Sequence, residues 1–87
     1  MELGCGNGWF THKMAELTGH EVVGMDINIL ELEQSARVFA EENLSFCFGD
    51  IFEDIFNPKS FGMITLNASA QYFPDIIKLI NRLLQLL

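Results

Sequence analysis

Basic residues are scarce in this chain: five lysines and arginines stand against twelve aspartates and glutamates, a net charge of −7 over 87 residues. A field of that sign repels phosphate, which disfavours nucleic acid as a partner. Cysteine is scarce too. Cys5 and Cys47 make neither a metal cluster nor a disulfide framework, and both read as small buried hydrophobes. No apolar run approaches the roughly 18 residues needed to span a bilayer. No basic segment followed by an apolar stretch marks a secretory signal. These absences lead to the expectation of a soluble, cytoplasmic protein with no membrane or metal partner. Internal repeats, linkers and low-complexity tracts are also missing, so one small domain is expected over residues 1–87.

What is present is a well-supplied core, with 49% hydrophobic residues arranged in alternating periods. Met1, Glu2 and Leu3 stand where a buried strand is needed ahead of a glycine-rich stretch. Phe10, Met14 and Leu17 recur at helical spacing, and Gly19 is a plausible stop. Glu21 to Met25 reads as a buried strand ending at Asp26. Asn28 with Glu31 gives a capping-box start to a second helix whose apolar face is Leu32, Ala36, Phe39 and Ala40, ending near Glu42–Asn43. Leu44 to Phe48 is a further strand, stopped by Gly49–Asp50, and Ile51 to Ser60 reads as a loop. Phe61 to Leu66 is another apolar run. Pro74 suits the first turn of a last helix running through Ile76, Ile77, Ile80, Leu83, Leu84 and Leu87. Strands alternating with helices predict an α/β protein with a Rossmann-like parallel sheet and crossover helices.

The predicted strand ends carry the polar signal. They are Gly4–Gly8, Asp26, Asp50 and Asn67, and ligands of open α/β sheets sit beyond such carboxyl ends. Glycine at 4, 6 and 8 lets the backbone approach a ligand, with the following helix N-terminus aimed at the same place. A merely tight turn needs one or two glycines rather than three. Asp26 lies 22 positions after Gly4, close to the offset of roughly 20 at which a carboxylate meets ribose hydroxyls. Its alternative is helix capping, which Asn28 already supplies. Asp50 can accept from an adenine amino group or simply close a Gly-Asp turn.

A nicotinamide fingerprint, G-x-G-x-x-G, requires glycine at position 9, where Trp9 stands. The observed G-x-G-x-G, together with Val23-Gly24-Met25-Asp26, Gly49-Asp50-Ile51 and the Phe61–Asn67 run, resembles the class I S-adenosylmethionine-dependent methyltransferases. The resemblance implies S-adenosylmethionine as cofactor. Gly4, Cys5, Gly6, Asn7 and Gly8 would hold its methionine part with Glu2 nearby. Asp26 with Ile27 would bind the ribose, Asp50 with Ile51 the adenine, and Asn67 would lie near the methionyl amine. It also implies methyl transfer to a small molecule, and the stretch Asn67 to Phe73 looks somewhat like the segment found in small-acid and acyl-thioester methyltransferases. Readings from other classes are an NAD-dependent oxidoreductase and a non-catalytic nucleotide-binding module.

Displacement at a sulfonium methyl works by proximity, alignment and exclusion of water, so no catalytic residue is assigned. His12 and His20 are bases by residue type only, with surface positions expected. Trp9 and Tyr72 either border the substrate and sulfonium or serve packing. Gly62 stands where the family commonly shows an acidic residue. The family's sheet continues past the last helix, which implies that 1–87 is a truncated, partial S-adenosylmethionine-binding domain. An exposed strand edge and an apolar helix face then predict self-association and an inactive isolated piece.

Overall fold

A computed structural model describes residues 1–67 and 69–87. Three parallel strands, β1 (Glu2–Leu3), β2 (Val22–Asp26) and β3 (Leu44–Phe48), stand in the order β1-β2-β3. Glu2 pairs with Gly24 and Leu3 with Met25, while Val22 to Asp26 pair in register with Leu44 to Phe48. The crossovers carry α1 (Trp9–Thr18) and α2 (Ile29–Val38). A 3-10 turn (Ala70–Tyr72) and α3 (Ile76–Leu86) complete the elements, so the α/β, Rossmann-like expectation holds.

The run Phe61 to Leu66 does not become the expected fourth strand. It makes one parallel bridge, Thr65 to Glu2, in which Leu3 N donates to Thr65 O and Thr65 N to Met1 O, each at 2.9 Å. A β1 of two residues offers no longer ladder. Residue 65 nevertheless lies across β1 from β2, giving the spatial order 65, β1, β2, β3. The chain therefore reverses its direction across the sheet at β1, which makes the end of β1 a switch point.

Alternation along the strands divides the sheet into two faces. Leu3 and Met25 join Ile51 and the α3 residues Leu79, Leu83 and Leu86 in the main core, with Val23 packed against it. On the opposite face Thr11 of α1 donates to Glu2, and the Phe46 ring fills the space beside Gly24 and beside Gly8, the N-cap of α1, where Ser35 of α2 also lies. The layers are thus α/β/α.

Helix faces depart from their sequence periods. On α1 the buried residues are Thr11 and Ala15, with Phe10 and Met14 half-buried and Leu17 79% exposed, because Glu2 beneath the helix takes a hydroxyl partner rather than a leucine. On α2 they are Leu32 and Ser35. Ala36 and Ala40 are exposed, and the helix ends at Val38, earlier than expected, with Phe39 as its C-cap. Pro74 precedes α3 instead of starting it, for Asp75 is the cap and accepts from Lys78 N at 3.0 Å. α3 buries Leu79, Leu83 and Leu86, whereas Ile76, Ile77, Ile80, Leu84 and Leu87 of the expected stripe face solvent.

Candidate functional site

A cavity of about 650 Å³ opens at the carboxyl ends of the strands, beside the switch point at β1. The end of β1 contributes Leu3, Gly4 and Gly6, and the end of β2 contributes Asp26, Ile27, Asn28 and Glu31. The turn after β3 adds Gly49 to Phe52, and the segment after residue 68 closes the rim with Ser69 and Tyr72 to Pro74. Six residues singled out by the sequence, Gly4, Gly6, Asp26, Ile27, Asp50 and Ile51, therefore converge from three strand ends. Glu2, Cys5, Asn7, Gly8 and Asn67 lie outside the lining.

The glycines divide the work. Gly6 has φ +55, and a Cβ there would meet only Glu31 Oε2 at 3.7 Å, so this position faces open space. Its N–H donates to Asp26 Oδ2 at 2.8 Å, and Asn28 N donates to the other carboxylate oxygen at 2.9 Å. One carboxylate thus ties the glycine loop to the start of α2, and each oxygen keeps a lone pair for a further donor. Asn28 caps α2 through Leu30 N and Glu31 N, but Glu31 does not return the bond as a capping box would; its side chain lines the cavity. Gly4 serves contact with the rim, where an added Cβ would stand 2.5 Å from Ser69 Cβ, while Ser69 Oγ donates to Leu3 O at 2.7 Å.

Gly8 is the N-cap of α1 with φ +81, and its missing side chain makes room for Ser35 and Phe46. Asn7 Oδ1 accepts from Trp9 N at 3.1 Å, so the loop's own amide occupies a first-turn donor that the sequence assigns to a ligand. Glu2 is 2% exposed and turned to α1, where Thr11 Oγ1 donates to it; burial pushes its carboxyl above the ordinary carboxylate range. Burial, with the Asp26 and Glu2 carboxylates nearby, pushes the Cys5 thiol up to about 12. Asn67 is exposed, and Ala68 beside it lies outside the described residues.

Asp50 accepts from Phe52 N at 2.9 Å, closing the turn its alternative reading expects, and still lines the cavity. Tyr72 stands at the rim, 78% exposed, but Trp9 does not reach the cavity. His20 is exposed, as expected. His12 is half-buried instead, stacked on Phe39 with ring centroids 4.7 Å apart and with Nε2 3.3 Å from Glu41 Oε1. Neither lines the cavity.

Sequence reasoning did not assign Ser69, Phe52, Phe73, Pro74, Asn28 or Glu31 to the lining. Glu31 carried a usable signal, since a carboxylate one turn into a helix that starts at a strand end must lie near that end. The aromatic pair Phe52 and Phe73, edge to face at 6.1 Å, carried none, because it joins two loops distant in sequence. Among the described lining residues the charged groups are Asp26, Glu31 and Asp50, with no lysine, arginine or histidine. The cavity is therefore suited to a cationic ligand and hostile to a phosphate-bearing one.

Comparison with known proteins bears on this arrangement. The family model described as "Methyltransferase domain" matches residues 1–87. No curated protein matches. Among solved structures, an S-adenosylmethionine dependent methyltransferase from Mesorhizobium loti is 23% identical with a TM-score of 0.88, over 99% of this chain and 40% of that one. A Haloferax volcanii chain, assigned as a methyltransferase and solved in complex with the Trm112 methyltransferase activator, is 20% identical with a TM-score of 0.90, over 99% and 38%. The YcgJ protein of Bacillus subtilis is 25% identical with a TM-score of 0.80, over the same shares. The chain thus spans about two fifths of the length of these structures. By family match and by fold, the chain belongs to the methyltransferase domain family, of the class I S-adenosylmethionine-dependent type that its motifs resemble.

Proposed function

We propose that residues 1–87 are the cofactor-binding part of an S-adenosylmethionine-dependent methyltransferase acting on a small-molecule acceptor. The observation that carries this reading is the cavity itself: a glycine loop with open space at Gly6, beside three carboxylates and no cation among the described lining residues. S-adenosylmethionine carries a sulfonium and an ammonium against one carboxylate, and its net positive charge is stabilised there. NAD would bring two phosphate charges to the same carboxylates, which together with Trp9 argues against the oxidoreductase reading.

In this reading Asp26 takes the ribose hydroxyls with its remaining lone pairs, and Ile27 and Ile51 flank the adenine. Asp50 accepts from the adenine amino group, while Gly4 and Gly6 admit the methionine part. Glu2 acts behind the loop, and Cys5, Asn7 and Gly8 within it hold its shape. The bound cofactor supplies a methyl group already activated by its positive sulfur. The chain's contribution is to orient that methyl and to exclude water, with Ser69, Tyr72 and Phe73 on the side left for the acceptor. The net charge of −7 supports a small organic acceptor over a nucleic acid.

Calorimetric titration of the full-length protein with S-adenosylhomocysteine, with NAD as control, tests the reading. Binding of the adenosyl compound alone supports it. Binding of NAD, or of neither, overturns it.

A further inference from the structure

The turn after β3 is gripped from behind by α3. Arg82 Nε donates to Ile51 O at 2.8 Å and Nη2 donates to Glu53 O at 2.9 Å, while Nη1 is oriented by Gln85 Oε1 at 3.2 Å. One turn earlier on α3, Lys78 Nζ lies 4.5 Å from the centre of the Phe52 ring. The bonds inside the turn are local: Glu53 N donates to Asp50 O at 3.0 Å and Phe52 N to Asp50 Oδ1 at 2.9 Å. They shape the turn without fixing it to the body. Gly49 N donates to Asp26 O at 3.1 Å at the start of the turn, and the Ile51 and Phe52 side chains pack on the core, which leaves the far end of the turn, toward Glu53, to pivot about these anchors. Two carbonyls held by one planar fork stop that pivot.

We infer that Arg82, which lies outside the cavity lining, is a positioning residue that sets the placement of the Asp50–Phe52 wall against the cofactor's base. This rests on the proposed reading, in which that wall meets adenine. Its helix is a firm support, since Leu79, Leu83 and Leu86 are buried in the core and Asp75 caps the first turn. A rigid guanidinium reaching two carbonyls, rather than a flexible ammonium, fits a role in geometry rather than charge.

The test compares Arg82→Met and Arg82→Lys with the parent in the full-length protein, titrating S-adenosylhomocysteine and S-inosylhomocysteine, which lacks the adenine amino group. The parent is expected to prefer the adenosyl ligand. Arg82→Met should raise its Kd about tenfold while changing the inosyl Kd much less, so that the preference collapses. Arg82→Lys, which keeps the charge and one donor nitrogen but not the fork, should fall between. A variant that merely lost stability would weaken both ligands equally and keep their ratio, and that result overturns the inference. Unchanged affinities in both variants overturn it as well. A parent that binds neither ligand, or binds both alike, overturns the adenine reading and this inference with it. A parent that discriminates beside variants that still discriminate overturns this inference alone.

Discussion

Adding one methyl group to Gly8 tests whether the glycine loop is built as described. Gly8→Ala must hold a side chain at φ +81, in the left-handed region, at a cost of about 1–2 kcal/mol. Its Cβ would also stand 2.9 Å from Ser35 Cβ and Oγ and 3.0 Å from Phe46 Cζ, closer than real contacts allow. Overpacking of that kind costs about 1–3 kcal/mol more, for a total of roughly 2–5 kcal/mol. Gly6→Ala is the matched control. It carries the backbone cost at φ +55 but meets nothing nearer than 3.7 Å, so about 1–2 kcal/mol is expected. Urea unfolding of the two variants in the full-length protein measures the difference. In a parallel titration, Gly6→Ala should weaken S-adenosylhomocysteine about tenfold, since its methyl enters the cavity. Equal destabilisation by the two alanines would refute the reasoning, because the packing against Ser35 and Phe46 would then count for nothing.

Four further outcomes are expected. Asp26→Asn leaves one oxygen for two backbone donors, Gly6 N and Asn28 N, so cofactor affinity should fall about tenfold or more while the secondary structure seen by circular dichroism persists. Burial raises the Glu2 carboxyl above its ordinary value of 4.5, so its contribution to stability is fully present below that pH and is lost as pH rises through the folded-state value. Glu2→Gln should flatten this part of the profile in urea midpoints taken from pH 4 to pH 7. Cys5, buried with its thiol held near 12, should resist iodoacetamide at neutral pH, with the half-buried Cys47 labelled first; mass spectrometry showing the reverse would contradict the burial described. Residues 1–87 expressed alone should self-associate through Ile77, Ile80 and Leu84, and sedimentation velocity showing monomer at every concentration would refute this.

Where a local signal decided the structure, the sequence was legible. Val22–Asp26 and Leu44–Phe48 are apolar runs bounded by polar or glycine residues, and Asn28 caps its helix by chemistry confined to three residues. Long-range partners decided the rest. The run at Phe61 to Leu66 has strand composition, yet its pairing length is set by β1, which has two residues to give. The buried stripe of α1 is Thr11 and Ala15 because a carboxylate lies beneath it, a fact held by Glu2 and invisible in the helix's own period. The cavity shows the same division. Strand-end positions such as Asp26 and Asp50 followed from topology, whereas Ser69 joined them only because the chain returns beside β1.

Phe46 sits one layer below the loop, with its ring within 3.0 Å of the places where side chains at both Gly8 and Gly24 would begin. One aromatic volume and two missing side chains form a single shape divided among three positions in three elements. Inheritance at these positions is therefore joint: a lineage that gains a methyl at 24 must first shrink the residue at 46, and one that shrinks 46 opens a void unless 8 or 24 grows. Drift should move them as a triplet, even though none of the three lines the cavity. For redesign, the handle on the glycine loop is thus a strand residue underneath it, which can be altered without touching any atom that the cofactor would meet.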